Sequence, residues 1–112
     1  MNDPEHPRIF ANDRGVWRED QPGQPFGIEW VEICRITGYK LDCVTEVDTV
    51  LEIDFPHGHF IELNSTWDGF AAVIEAMKTK ISDLDPTRFD LLTESTHEDE
   101  PVSIWEKPQT SS

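Results

Sequence analysis

The sequence predicts a single α+β domain, an antiparallel sheet packed by one amphipathic helix. Three observations predict it. The segment "TVLEIDFPHGHFIELN" alternates apolar and polar residues on either side of a proline–glycine bend. Trp67, Phe70, Ile74, Met77 and Ile81 recur at helical spacing and give one apolar stripe. A chain of 112 residues is also long enough to bury one modest core without disulfide staples.

Taken in order, "RIFANDRGVWRED" reads as a hairpin: Ile9-Phe10 and Val16-Trp17 flank the turn formers Asn12 to Gly15. "QPGQPFG" (21–27) reads as a loop. In "IEWVEICRI" the spacing of Ile28, Trp30, Ile33 and Ile36 fits neither a strand nor a helix. It suits a strand that enters one tight turn and leaves as a new strand. "RITGYKLDC" has two readings. With Gly38-Tyr39 as a two-residue loop, Ile36 faces Leu41, Arg35 faces Asp42 and Cys34 faces Cys43; the alternative is one continuous strand.

The bend in "FPHGHF" is set by which residues must share a face. A two-residue loop would set Ile53 opposite Glu62 and split the apolar residues between the two faces of the sheet. A three-residue loop, Pro56-His57-Gly58, pairs Ile53 with Ile61 and Leu51 with Leu63. Proline presets φ at the first loop position and glycine accepts a positive φ at the third, as in a type I turn followed by a left-handed residue. His57 and His59 are therefore read as turn and strand-end residues, because two such histidines hold a metal only with a third ligand from elsewhere. No metal and no cofactor is expected.

Ser65 to Asp68 resembles a capping box and predicts a helix near 66–81, with Gly69 a mildly unfavourable residue in its first turn. Asp85 as cap and Pro86 at the first helical position predict a second short helix near 86–93 that docks Phe89 and Leu92. The organisation expected is a flexible N-terminus (1–7), a domain (8–93), and an acidic linker and tail (94–112). "VSIWE" (102–106) in that tail is either a last strand or a mobile arm.

Charge is the informative part of the composition: 23 acids against 9 bases. Residues 1–24 hold five acids and three bases, and residues 94–112 hold five acids and one base. The remaining 13 acids and five bases leave −8 within residues 25–93, so the bias belongs to the domain surface. Such a field repels nucleic acid and anionic lipid and attracts cationic partners. No apolar run is long enough for a membrane span, and the N-terminus lacks a signal-peptide pattern, so the expected compartment is the cytoplasm. Cys34 and Cys43 form neither a disulfide scaffold nor a zinc site and are expected to be small buried residues.

The order of these elements, with the tryptophan-led run Trp30, Ile33, Ile36, the hairpin "VLEIDFPHGHFIEL" and the helix near "WDGF", resembles the bacterial pleckstrin-homology-like domains over about residues 8 to 82. The resemblance implies a strongly bent antiparallel sheet of about six or seven short strands closed by a helix, in domains that mostly bind or assemble.

The register derived for the bend places Glu52 across from Glu62, and Asp54 across from Phe60, on the face turned away from the helix. Three readings are open: the charges are neutralised by Arg35 or Lys40 or screened by solvent; they receive a basic surface of another protein; or they form a catalytic carboxylate pair. The candidate partner-binding residues are thus Glu52, Asp54, Phe60 and Glu62. The function expected is a non-enzymatic, immunity- or inhibitor-type protein that captures a basic partner. An assembly module in which "VSIWE" joins the sheet edge of a second copy is the alternative, and a small hydrolase using carboxylates or histidines the third.

Overall fold

The computed structural model describes residues 7–20 and 23–108; the expectations for the N-terminus, the first part of the 21–27 loop and the last residues fall largely outside them. The fold is α+β, built on two open antiparallel sheets. β1 (Arg8–Ala11), β2 (Gly15–Glu19) and β3 (Pro25–Glu29) form the first, in that order. β4 (Arg35–Asp42), β5 (Val47–Phe55), β6 (His59–Asn64) and β7 (Val102–Glu106) form the second, in the order β6-β5-β4-β7. The helices are α1 (Phe70–Lys80) and α2 (Thr87–Glu94). The pairing thus divides between two sheets, where the sequence suggests one bent sheet.

The first hairpin forms as its sequence indicates, with Phe10 opposite Trp17 and Ala11 opposite Val16. Asn12 holds its turn: the side-chain Oδ1 accepts from the Arg14 and Gly15 amides and from the Trp17 indole, at 2.9, 3.1 and 3.0 Å. Part of the expected loop is strand, since Pro25 to Gly27 pair with β2. After Ile28 a single 3-10 turn, Trp30–Glu32, redirects the chain into β4, which is the strand–turn–strand path expected there.

Gly38-Tyr39 is not a turn. β4 runs unbroken, pairing Ile36 with Ile53 and Arg35 with Asp54, and the chain reverses at residues 43–46. Cys34 and Cys43 therefore lie at opposite ends of the strand, about 30 Å apart, and both are half-buried free thiols rather than buried residues. The glycine serves packing: a Cβ at Gly38 would stand 2.5 Å from Leu92 Cδ2 of α2.

The three-residue loop is present, and β5 and β6 take the deduced register: Phe55 opposite His59, Ile53 opposite Ile61, Leu51 opposite Leu63. The turn differs in one respect. His57 as well as Gly58 has a positive φ (70° and 76°), and positive φ at the second loop residue belongs to a type II rather than a type I turn. "VSIWE" is β7, antiparallel to β4 of its own chain.

α1 begins later than its sequence suggests. Ser65 does not cap it; the Ser65 hydroxyl accepts from the Thr49 amide (3.0 Å). Gly69 precedes the helix at φ 96°, and residues 66–69 form a turn whose Asp68 carbonyl accepts from the Ile9 amide at 2.9 Å. Val73 and Met77 are the fully buried helical residues, with Phe70 and Ile74 packed at the sides. For α2, Asp85 Oδ1 accepts from the Thr87 amide (3.0 Å) and hydroxyl (2.7 Å), Pro86 is already helical, and Phe89 and Leu92 are buried. One continuous core joins Ile9, Val16 and Ile28 of the first sheet to Leu51, Ile53 and Leu63 of the second, beneath α1.

Gly69 carries the sharpest backbone demand. A Cβ there would collide with the Ile9 carbonyl oxygen, a backbone atom that cannot rotate away. Gly69→Ala is expected to cost about 1–3 kcal/mol or more in urea unfolding. Gly23→Ala, at φ 82° with open space around it, isolates the purely conformational part and is expected to cost clearly less. Equal costs would show that the β1–α1 junction is not the tight point.

Candidate functional site

The candidate residues lie on the outer face of the second sheet because side chains alternate along each strand. Leu51 and Ile53 of β5 and Ile61 and Leu63 of β6 point into the core. Glu52 and Asp54, with Phe60 and Glu62, therefore point away from it, and the structure brings all four together: Glu52 stands opposite Glu62, and Asp54 opposite Phe60. Phe60 is 55% exposed.

β4 extends the same face. Arg35 pairs with Asp54 on one side and Glu106 on the other, and Thr37 stands beside Glu52. Arg35 Nε lies 3.5 Å from Asp54 Oδ2. Lys40, the other cation suggested as a neutraliser, is directed elsewhere, its Nζ 3.5 Å from the Thr93 carbonyl. A single guanidinium thus serves a face that holds Glu52, Asp54, Glu62 and Glu106.

Tyr39 is the residue that sequence reasoning passes over. From β4 it crosses over β5 and donates its hydroxyl to Glu62 Oε2 at 2.9 Å. Reading Gly38-Tyr39 as a loop conceals it, because only a continuous β4 places Tyr39 in the row of Val50 and Asn64. Burial, the bond to Glu62 and the charges of Glu62 and Glu52 push the Tyr39 phenol up to about 12. The Glu52 carboxyl is raised above its ordinary value by burial first, then by Asp54 and by the charge of Glu62, with Arg35 opposing. The outer edge of β6 is tied to the first sheet: Arg18 Nη1 approaches the Glu62 carbonyl (3.4 Å) while its guanidinium lies 4.7 Å from the Trp67 ring.

At the loop end of this face a cleft of about 420 Å³ is lined by Arg35, Glu52, Asp54, His57, His59 and Phe60, among others. Its wall includes Phe55 stacked on His59, ring centroids 5.6 Å apart. Among the described residues no group of three or more His, Cys, Asp or Glu side chains is placed to hold a metal ion. No helix among them is long and apolar enough to cross a membrane. Comparison with known proteins finds no matching family model, no similar curated protein and no similar solved structure.

Two measurements test this electrostatic description. Tyr39 is the chain's single tyrosine, so its ionisation is readable by ultraviolet absorbance. The expected midpoint is about 12, and Glu62→Gln should move it back toward 10. Stability carried by the neutral phenol should fall as pH rises from 10 through that midpoint, because only the folded state retains the proton there.

Glu52→Gln should stabilise the fold at pH 7 by up to about 1 kcal/mol, since it removes a like charge from a cross-strand pair. A raised carboxyl makes the folded state the better proton binder, so the wild-type chain should gain stability as pH falls through its folded pKa. The advantage of the glutamine variant should therefore shrink on acidification. An advantage that does not change with pH would contradict the raised carboxyl.

Proposed function

We propose that this chain is a non-enzymatic binding protein of the immunity or inhibitor kind, which captures a basic protein on the outer face of β4–β6. The observation that supports this reading is the stacked pair Glu52–Glu62 with Asp54 beside it, on a face with one guanidinium and a half-exposed phenylalanine at its end. Opposed carboxylates weaken a sheet on their own, and a cationic surface laid across them would convert that cost into attraction. Phe60 offers an apolar anchor at the mouth of the cleft, and the net charge of −14 would steer a basic partner into encounter. The proposed kinship with pleckstrin-homology-like domains rests on the order of the elements, the tryptophan-led run Trp30, Ile33, Ile36, the β5–β6 hairpin and the helix, and fits such a role, because those domains mostly bind or assemble.

The test begins with capture on the full chain from its source cells and continues with stopped-flow kinetics on the captured protein. That protein should be basic, with an association rate that falls at least about tenfold between low and high salt. Glu52→Lys combined with Glu62→Lys should slow association, and Phe60→Ala should speed dissociation at a cost of about 2 kcal/mol. A partner whose association ignores salt, or that binds the charge-reversed chain at the wild-type rate, would overturn the proposal.

A further inference from the structure

The cleft at the loop end of the second sheet combines three features that one kind of side chain meets together. Its acids, to begin with, are unevenly partnered. Asp54 Oδ2 lies 3.5 Å from Arg35 Nε, and Glu62 beside the cleft holds the Tyr39 hydroxyl at 2.9 Å. Glu52 lines the cleft, yet among the described residues no cation, amide or hydroxyl is bonded to its carboxylate. The two acids of the cleft also stand in a row. Glu52 and Asp54 are two residues apart on one face of β5, about 7 Å along the strand. A compact ammonium meets one carboxylate of such a row, whereas a planar guanidinium with five donors in a fork reaches toward both.

The third feature is aromatic. Phe60, more than half exposed, stands opposite Asp54, and Phe55 stacked on His59 belongs to the wall. Elsewhere in this chain arginines lie over half-buried rings, Arg8 over Phe10 at 5.0 Å and Arg18 over Trp67 at 4.7 Å. Among the described residues the Phe60 ring carries no cation. Arg35 does not fill this place. It is held on β4 between Asp54 and Glu106, and its ion pair is with Asp54 and not with Glu52. Two carboxylates against one guanidinium leave the cleft room for a second positive charge.

We propose that the cleft seats an arginine side chain of the captured protein, its guanidinium against Glu52 and Asp54 and its plane on the Phe60 ring, and that it selects arginine over lysine. The arginine anchor rests on the reading of this face as one that captures a basic protein, and it adds which residue of that protein is held. Selection follows from geometry. Forked hydrogen bonds to two acceptors and stacking on an aromatic face are both available to a weakly hydrated guanidinium, and a strongly hydrated ammonium reproduces neither.

The cleft is tested without the partner, by NMR titration of the isotope-labelled full chain at low salt with two probes, N-acetyl-arginine methylamide and N-acetyl-lysine methylamide. The arginine probe should give saturable shifts centred on Glu52, Asp54, His59 and Phe60, with a Kd of about 1–10 mM, and the lysine probe should bind at least about fivefold more weakly. Glu52→Gln, which keeps the fold because it removes a like charge, should weaken the arginine probe at least about fivefold, and Phe60→Leu, which keeps an apolar side chain but no ring, should do the same. Glu75→Gln on α1 changes the net charge equally and should leave binding unchanged. Shifts that never saturate or spread over the whole acidic surface, equal affinity for the two probes, or a Glu52→Gln chain that binds like wild type would each overturn the proposal. A chain that captures a basic protein without saturable arginine binding overturns the anchor and leaves the capture reading standing. Saturable, arginine-selective binding with no basic protein captured upholds the cleft and overturns the capture reading.

Discussion

The length of one loop governs the second sheet. Pro56, His57 and Gly58 span the β5–β6 bend, and three residues rather than two put Leu51, Ile53, Ile61 and Leu63 on one face. A slip of one residue along β6 would turn its whole apolar set to solvent. The burial of four branched aliphatic side chains therefore enforces the register. The same register sends Glu52, Asp54, Phe60 and Glu62 to the opposite face as a direct consequence, so core packing and the charged outer surface have a single cause.

That outer surface is not electrically relaxed. Arg35 stands between Asp54 and Glu106, and Tyr39 reaches over β5 to Glu62, but neither removes the opposition of Glu62 and Glu52. The phenol moves up and the Glu52 carboxyl moves up for related reasons, burial together with neighbouring negative charge. Polar satisfaction is otherwise complete: among the described residues no buried side-chain nitrogen or oxygen lacks a partner. The remaining tension is one of like charge.

Two close approaches join the first sheet and the helices to this frame. At Gly69 the chain passes so near β1 that only a hydrogen atom fits against the Ile9 carbonyl, and the left-handed conformation there delays the start of α1. At Gly38 the missing side chain makes room for Leu92, so α2 can lie against β4 and Leu51. Arg18 completes the junction, lying over Trp67 and reaching the edge of β6.

The sequence by itself determined what depends on neighbours along the chain. Alternation and loop chemistry place the β5–β6 register, Asn12 to Gly15 the first turn, Asp85-Pro86 the start of α2, and "VLEIDF" with "HFIEL" the members of the acidic face. Only the tertiary structure decided the role of residues whose reasons lie far along the chain. Gly38 looks like a turn residue until Leu92, 54 positions later, occupies the space its side chain would fill. Tyr39 looks like its companion until β4 is seen to continue. Gly69 and Ser65 look like helix and cap until the Ile9 carbonyl packs against Gly69 and the Thr49 amide takes the Ser65 hydroxyl. The turn at Val44 carries no glycine or proline, and hydrogen bonds from the Val44 amide to the Asp42 carboxylate and from the Cys43 amide to the Glu46 carbonyl hold its left-handed backbone. Local propensities are worth about 1 kcal/mol or less per residue, and the packing of distant segments outweighs them wherever the two disagree.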